Sequence, residues 1–172
     1  QDMTITGAGP QIELFEDRLE ISNPGAPLVK PERMIDLPPR SRNEALADRM
    51  RRMRLCEEQG SGLDKVVQAC EVYQLPPPLL RAEDHSFQAV LYGPRSFAEM
   101  TPEERIRACY FHSILKFLSG DKMKNASLCQ RLGIPTKNAA QATAVINKAL
   151  DAELIRVADP EHPRAGYVPH WA

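Results

Sequence analysis

The 172 residues contain no 18-residue apolar run and no signal peptide, so the sequence reads as neither membrane-spanning nor visibly exported. No Cys-x-x-Cys occurs either. Cys56, Cys70, Cys109 and Cys129 are widely spaced and read as reduced structural thiols of a cytoplasmic protein. His85, His112, His162 and His170 form no ligand-spaced pair, so no metal site and no catalytic residue is expected. A Gly-x-x-x-x-Gly-Lys-Ser/Thr loop is missing, which removes the helicase type of nucleotide chemistry. The near-zero net charge of −1 hides an asymmetry. Residues 1–99 carry 12 Lys and Arg against 16 Asp and Glu, net −4, whereas residues 100–172 carry 10 against 7, net +3. A modestly basic C-terminal half permits nucleic-acid contact without demanding it. The length suits one ordinary domain or two small ones. The chain runs from Gln1 almost at once into folded-looking sequence, which reads as a piece of a longer protein.

The first half predicts strands at 11–15 and 18–22, alternating apolar and polar residues around Glu16-Asp17, as a hairpin with one buried face. Pro24-Gly25 stops the second strand, and four prolines between 26 and 41 predict a surface loop with one helical turn near Pro31–Met34. Asn43 can cap a helix over 44–53 with Leu46, Met50 and Met53 inward. Gly60-Ser61-Gly62 then opens a helix, Ser61 and Asp64 forming a capping box. Leu63, Val66, Val67 and Cys70 share one face of it, and Leu75-Pro76-Pro77-Pro78 ends it. A closing strand is expected from Phe87 to Tyr92, then a linker over 93–100.

Thr101-Pro102-Glu103-Glu104 is a clear helix start, with a cap, proline at the first turn and an acid three residues after the cap. Helices follow to Gly120, from about 125 to 132, and from about 138 to 152, then strands at 155–157 and 166–168. Three helices and a β-hairpin are the order of a winged helix-turn-helix. Projected at 100° per residue, the third helix places Ala142, Val145, Ile146, Ala149 and Leu150 on one stripe. Lys137, Ala140, Gln141, Ala144, Asn147 and Lys148 lie opposite. Small residues allow close approach to DNA, amides suit adenine edges, and lysines suit phosphate or guanine. Lys122, Lys124 and Arg164 add candidate phosphate contacts. The candidate DNA-binding set is therefore Lys124, Lys137, Gln141, Asn147, Lys148 and Arg164. A solvated helix face used for protein contacts is the alternative.

Asp17-Arg18-Leu19-Glu20-Ile21-Ser22-Asn23-Pro24-Gly25, Arg42-Asn43-Glu44-Ala45-Leu46-Ala47 and Glu57 through Val66 resemble the C-terminal part of bacterial RecG-like, Schlafen-related transcriptional regulators. Members of that family join an AlbA-type DNA-binding domain to a degenerate GHKL-ATPase-like domain and a winged helix. The resemblance implies an α+β chain, with a partial GHKL-ATPase-like α/β unit over residues 1–95 followed by a winged helix-turn-helix over 100–172. It implies that Asn23-Pro24-Gly25 stands at an Asp-x-Gly box and Gly60-Ser61-Gly62 at a second glycine box. Asn23, Gly25, Gly60, Ser61 and Gly62 are thus the nucleotide-site candidates. Asn23 replaces the expected acid and the second box lacks its final glycine, so ATP turnover is not expected. ATP and Mg²⁺ belong at most to a longer protein. The bland reading of Gly60-Ser61-Gly62 is a strained turn and helix cap. Arg42 is expected to be a buried partner of Glu57 or Glu58. The expected partners are double-stranded DNA and a second copy of the chain, with no membrane.

Overall fold

The computed structural model describes residues 9–55 and 62–172. Two compact units are present: residues 1–66 with 78–92, and residues 67–77 with 93–172. The sequence boundaries differ, since they place 67–77 in the first unit and read 93–100 as a linker.

In the first unit β1 (Gln11–Leu14) and β2 (Arg18–Pro24) form the expected hairpin. The sequence reading missed β3 (Leu79–Ala82), which joins β4 (Ser86–Tyr92) to make an antiparallel sheet of order β1-β2-β4-β3. Its four residues directly follow a proline run, so the helix-stop signal hid it. Cross-strand partners share a face. Ile12 opposes Ile21, Leu14 opposes Leu19, and these continue to Ala89, Leu91 and Leu80. This apolar face is not closed among the described residues. Ile12 is 71% exposed, Leu14 84%, and Leu19 and Ile21 are half-buried. The expectation of one buried face is corrected accordingly. Val90, from the other face, is buried, as is Ile35. A 3-10 turn at Pro31–Arg33 precedes α1 (Glu44–Arg52), whose first turn is capped by Asn43 Oδ1 accepting from Leu46 N at 3.0 Å.

α2 spans Gly62–Val72, and Val67 and Cys70 are buried on its inner stripe. Residues 67–77 group with the second unit, and Glu71 gives one reason. Its carboxylate accepts from Arg131 Nε at 2.7 Å and lies 2.7 Å from His112 Nδ1, while His112 Nε2 lies 3.0 Å from Ser127 Oγ. Arg131 also donates to the Leu75 carbonyl. Losing one partner of such a buried charged set is costly, because the remaining charge is left in low dielectric.

The rest of the second unit is α3 (Pro102–Leu118), α4 (Asn125–Arg131), α5 (Ala139–Asp151), β5 (Ile155–Val157) and β6 (Tyr167–Pro169). The Thr101 capping box forms as read. Thr101 Oγ1 accepts from Glu104 N, and Glu104 Oε2 accepts from Thr101 N. Glu104 is buried and its other oxygen holds Arg95 at 2.9 Å. With Met100 also buried, the segment expected as a linker is docked against this unit. Met123 makes an isolated antiparallel bridge to Tyr167, and β5 pairs β6 antiparallel. Ile114, Met123, Leu128, Ala142, Ile146 and Ala149 form a closed core. Cys109 sits inside it, and burial pushes its thiol pKa up to about 12.

Candidate functional site

Two sites are built from the residues singled out above, one in each unit. In the first, β2 ends at Asn23 and Pro24, where Asn23 pairs with Phe87 of β4. Gly25 then turns with φ of 97°, a left-handed conformation that glycine adopts without steric cost, and its N–H donates to His85 O at 2.7 Å. Asn23, Gly25, Arg42, Asn43, Leu46 and Phe87 line an open cleft of about 770 Å³, together with Arg40 and Met50. Leu46 and Met50, expected to face inward, line this cleft and are exposed, so the expected inner stripe of α1 is corrected. Met53 is exposed as well.

Arg42 is not buried. It is exposed, its guanidinium donates to the Ala26 carbonyl, and Glu57 and Glu58 lie outside the described residues. Of the second glycine box, Gly60 and Ser61 also lie outside the described residues, and the Ser61 cap with them. Gly62 is the first residue of α2 and is not among the glycines of positive φ, and a Cβ there would meet nothing within 4 Å. The expectation of strain at Gly60 or Gly62 is therefore corrected for Gly62, while Gly60 lies outside the described residues. Burial raises the pKa of Asp64, in the first turn of α2, and its Oδ1 has no partner among the described residues. Asn23 and Gly25 thus reach the cleft and Gly62 does not line it. The sequence reading did not anticipate the apolar wall made by Leu46, Met50 and Phe87.

The second site is the outer surface of α5. Ala142, Val145, Ile146 and Ala149 are buried, as projected, and Leu150 is half-buried. Ala140, Gln141, Ala144, Asn147 and Lys148 are exposed, as is Lys137 in the 3-10 turn before the helix. These do not form one even face. Gln141, Ala144 and Lys148 line a groove of about 170 Å³ with Phe97, Arg105 and Ile106. Arg105 is occupied there, donating to the Phe97 and Ala98 carbonyls at 3.1 Å and lying over the Phe97 ring. Glu103 is held below the ordinary carboxylate value, first by its own backbone N–H, then by the Thr101 hydroxyl, with Lys148 adding to it. At 100° per residue, Ala140, Ala144, Asn147 and the acidic Asp151 at the end of the helix are the positions farthest from the core.

The opposite flank of α5 is fixed by Asn125, whose Nδ2 donates to Ala139 O at 3.1 Å and Thr143 Oγ1 at 2.8 Å. That α4–α5 tie was not read from sequence, and the Asn125/Thr143 pair spans too much chain to be seen by local spacing. Lys124 precedes α4 and is exposed, and Arg164 is exposed in the 3-10 turn between β5 and β6. Among the described residues, no group of three or more His, Cys, Asp and Glu is placed to hold a metal ion, and no helix is long and apolar enough to cross a membrane.

Residues 7–91 match the family described as putative ATP-dependent DNA helicase recG C-terminal. A RecG-C-terminal-like, ATPase-type domain is present. It covers the cleft, including Asn23, Gly25, Arg42 and Asn43. No curated protein matches the chain. Among solved structures, the DIP2311 protein from Corynebacterium diphtheriae is similar at 19% identity and a TM-score of 0.44, over 88% of this chain and 29% of that one. The chain thus spans less than a third of that protein's length.

Proposed function

We propose that the chain is part of a cytoplasmic transcriptional regulator that binds double-stranded DNA through its second unit, a winged helix-turn-helix. The RecG-C-terminal-like unit then serves as a degenerate, non-hydrolysing sensing or dimerisation module. The observation that carries this reading is the exposed surface of α5. Ala140, Ala144 and Asn147 stand outermost, with Asp151 at the far end, on a helix whose inner stripe is buried, and Lys137 and Lys148 flank them. Small residues let a helix enter a major groove, and flanking lysines suit phosphates. The element order helix, isolated bridge, helix, helix, hairpin supports it, with Arg164 on the hairpin connection.

The test is binding of the chain to a mixed pool of duplex DNA as a function of salt. A falling log affinity against log salt is expected, because bound lysines release counterions. Lys148→Ala should weaken all sequences alike and make that slope shallower by about one unit, whereas Gln141→Ala should weaken one preferred site by about 1–3 kcal/mol. Equal, sequence-independent losses from both would remove base reading by Gln141. A slope near zero would favour protein contacts.

A second reading is a nucleotide-binding switch, favoured by the cleft that gathers Asn23, Gly25 and Asn43 beside an apolar wall. Thermal stabilisation by ATP or ADP with Mg²⁺, rising as RT ln(1 + [L]/Kd), would promote it.

A further inference from the structure

Charge in the first half of the chain is segregated far beyond its net value. Residues 40–54 hold six arginines and no lysine against two acids, net +4, while the rest of residues 1–99 holds six cations against fourteen acids, net −8. This fifteen-residue stretch is α1 with its two flanks. Arg40, Arg42, Arg49, Arg52 and Arg54 are exposed and Arg51 half-buried. Its two acids do little to neutralise it. Asp48 meets Arg52 at 2.9 Å and Arg51 at 3.8 Å, solvent-exposed pairs of the kind that contribute little.

We propose that this arginine surface is a second nucleic-acid contact, gripping the phosphate backbone of duplex DNA independently of base sequence. Three features choose that partner. First, every cation is arginine, whose planar fork matches phosphate oxygens in pairs, while lysine offers only a point charge. Second, on the helix itself Arg49 and Arg52 lie about 60° apart at 100° per residue, so both can meet one phosphate track. Third, the apolar residues Leu46 and Met50 line the cleft, and the nine-residue helix carries no aromatic residue. That leaves it unlike the helices that lie in a lipid interface with tryptophan, phenylalanine and leucine on one side. The net acidic remainder of residues 1–99 favours this stretch over the rest of that half as the place where a polyanion would bind.

The experiment uses the full chain and a labelled random-sequence DNA duplex, with affinity followed against salt. Arg49→Glu with Arg52→Glu should weaken binding about tenfold or more for any sequence and make the salt slope shallower by about two units. Arg49→Lys with Arg52→Lys keeps the charge and should retain the slope, with a smaller loss of affinity. Circular dichroism of each variant should match the parent, since both positions are exposed. Parallel Lys137→Ala with Lys148→Ala separates this surface from that of α5. If only the lysine pair matters, the present proposal falls and the α5 reading stands; if only the arginine pair matters, the reverse holds. Unchanged affinity in the Glu variant, or no duplex binding by the parent chain, overturns the proposal. So does loss in the Glu variant of binding to phosphatidylcholine–phosphatidylserine vesicles with DNA binding intact, which would make the surface a lipid contact.

Discussion

Leu128 of α4 is completely enclosed, whereas Leu14 of β1 stands almost free, and the contrast extends to the units around them. The second unit surrounds Ile114, Met123, Leu128, Ala142 and Ile146 from several elements, and its carboxyl-terminal residues return to α3. Trp171 donates to the Tyr110 hydroxyl at 3.2 Å and sits edge-on to Phe117. Among the buried apolar side chains of the first unit are Ile35 and Val90, while Ile12, Leu14, Leu46, Met53 and Leu55 remain exposed. A helix bundle closes its own core, because each amphipathic stripe faces two others. A single sheet has two faces, and here the ends of β2 and β4 and residues of α1 line an open cleft. The open half is the one with room for a ligand, and the closed half presents its chemistry on the outside of a helix.

The largest expected effect tests that contrast directly. Leu128→Ala should destabilise by about 2–5 kcal/mol, the usual range for an enclosed leucine that leaves a cavity, while Leu14→Ala should stay within about 0.5 kcal/mol of the parent. Chemical denaturation of both variants measures it. A cost at Leu14 close to that at Leu128 would mean that the apolar sheet face is covered in solution and that the difference between the units is not real.

Glycine sharpens the same comparison at a smaller scale. Gly166 has φ of 118° and ψ of −166°, a region open essentially to glycine alone, and a Cβ there would fall 2.7 Å from the Met123 carbonyl oxygen. Gly166→Ala should cost about 1–3 kcal/mol from the backbone conformation alone, with the clash adding to it. Gly62→Ala, in open space at the start of α2, should be neutral or stabilise by up to about 1 kcal/mol through the unfolded chain. A Gly62→Ala cost as large as that at Gly166 would restore the strained turn that the sequence suggested.

What could be read from sequence follows the same division. The helices of the second unit announce themselves by local signals, and Thr101-Pro102-x-Glu104 and the stripe of α5 lead directly to observed contacts. The Asn43 cap and the first hairpin were legible for the same reason. What stayed hidden depends on partners distant in the chain. Glu71, His112 and Arg131 meet across 41 and 60 residues, so nothing in their spacing marks them. β3 needs β4 to exist as a strand, and Arg95 becomes structural only because Glu104 is buried behind it. In the candidate sites, Asn23 and Gly25 were placed by resemblance to a motif, whereas the apolar cleft wall and the groove beside Lys148 needed coordinates. The four arginines of 49–54 stand in plain sight in the sequence, but the helix reading rests on Leu46, Met50 and Met53 and gives them no role.

The smallest effect concerns the connection between β5 and β6, where Glu161, His162 and Arg164 are exposed. Asp159 Oδ2 lies 3.0 Å from His162 Nδ1, and Oδ1 accepts from Glu161 N at 2.9 Å and His162 N at 3.3 Å. These hold the Asp159 carboxyl below its ordinary value of 3.8, the His162 side chain first and the Glu161 backbone next. The sign follows from linkage. A carboxyl depressed in the folded state adds stability above its unfolded value and loses it as pH falls through the folded value. Any contribution therefore disappears only in acid, below the ordinary aspartate range, and solvent screening keeps it small. A carboxyl-detected NMR titration should give Asp159 a midpoint under 3.8, and His162→Ala should move that midpoint upward while leaving the denaturation midpoint at neutral pH unchanged. If His162→Ala leaves the titration where it was, the backbone N–H groups alone hold the carboxylate, and the connection is an Asx turn to which the histidine adds nothing.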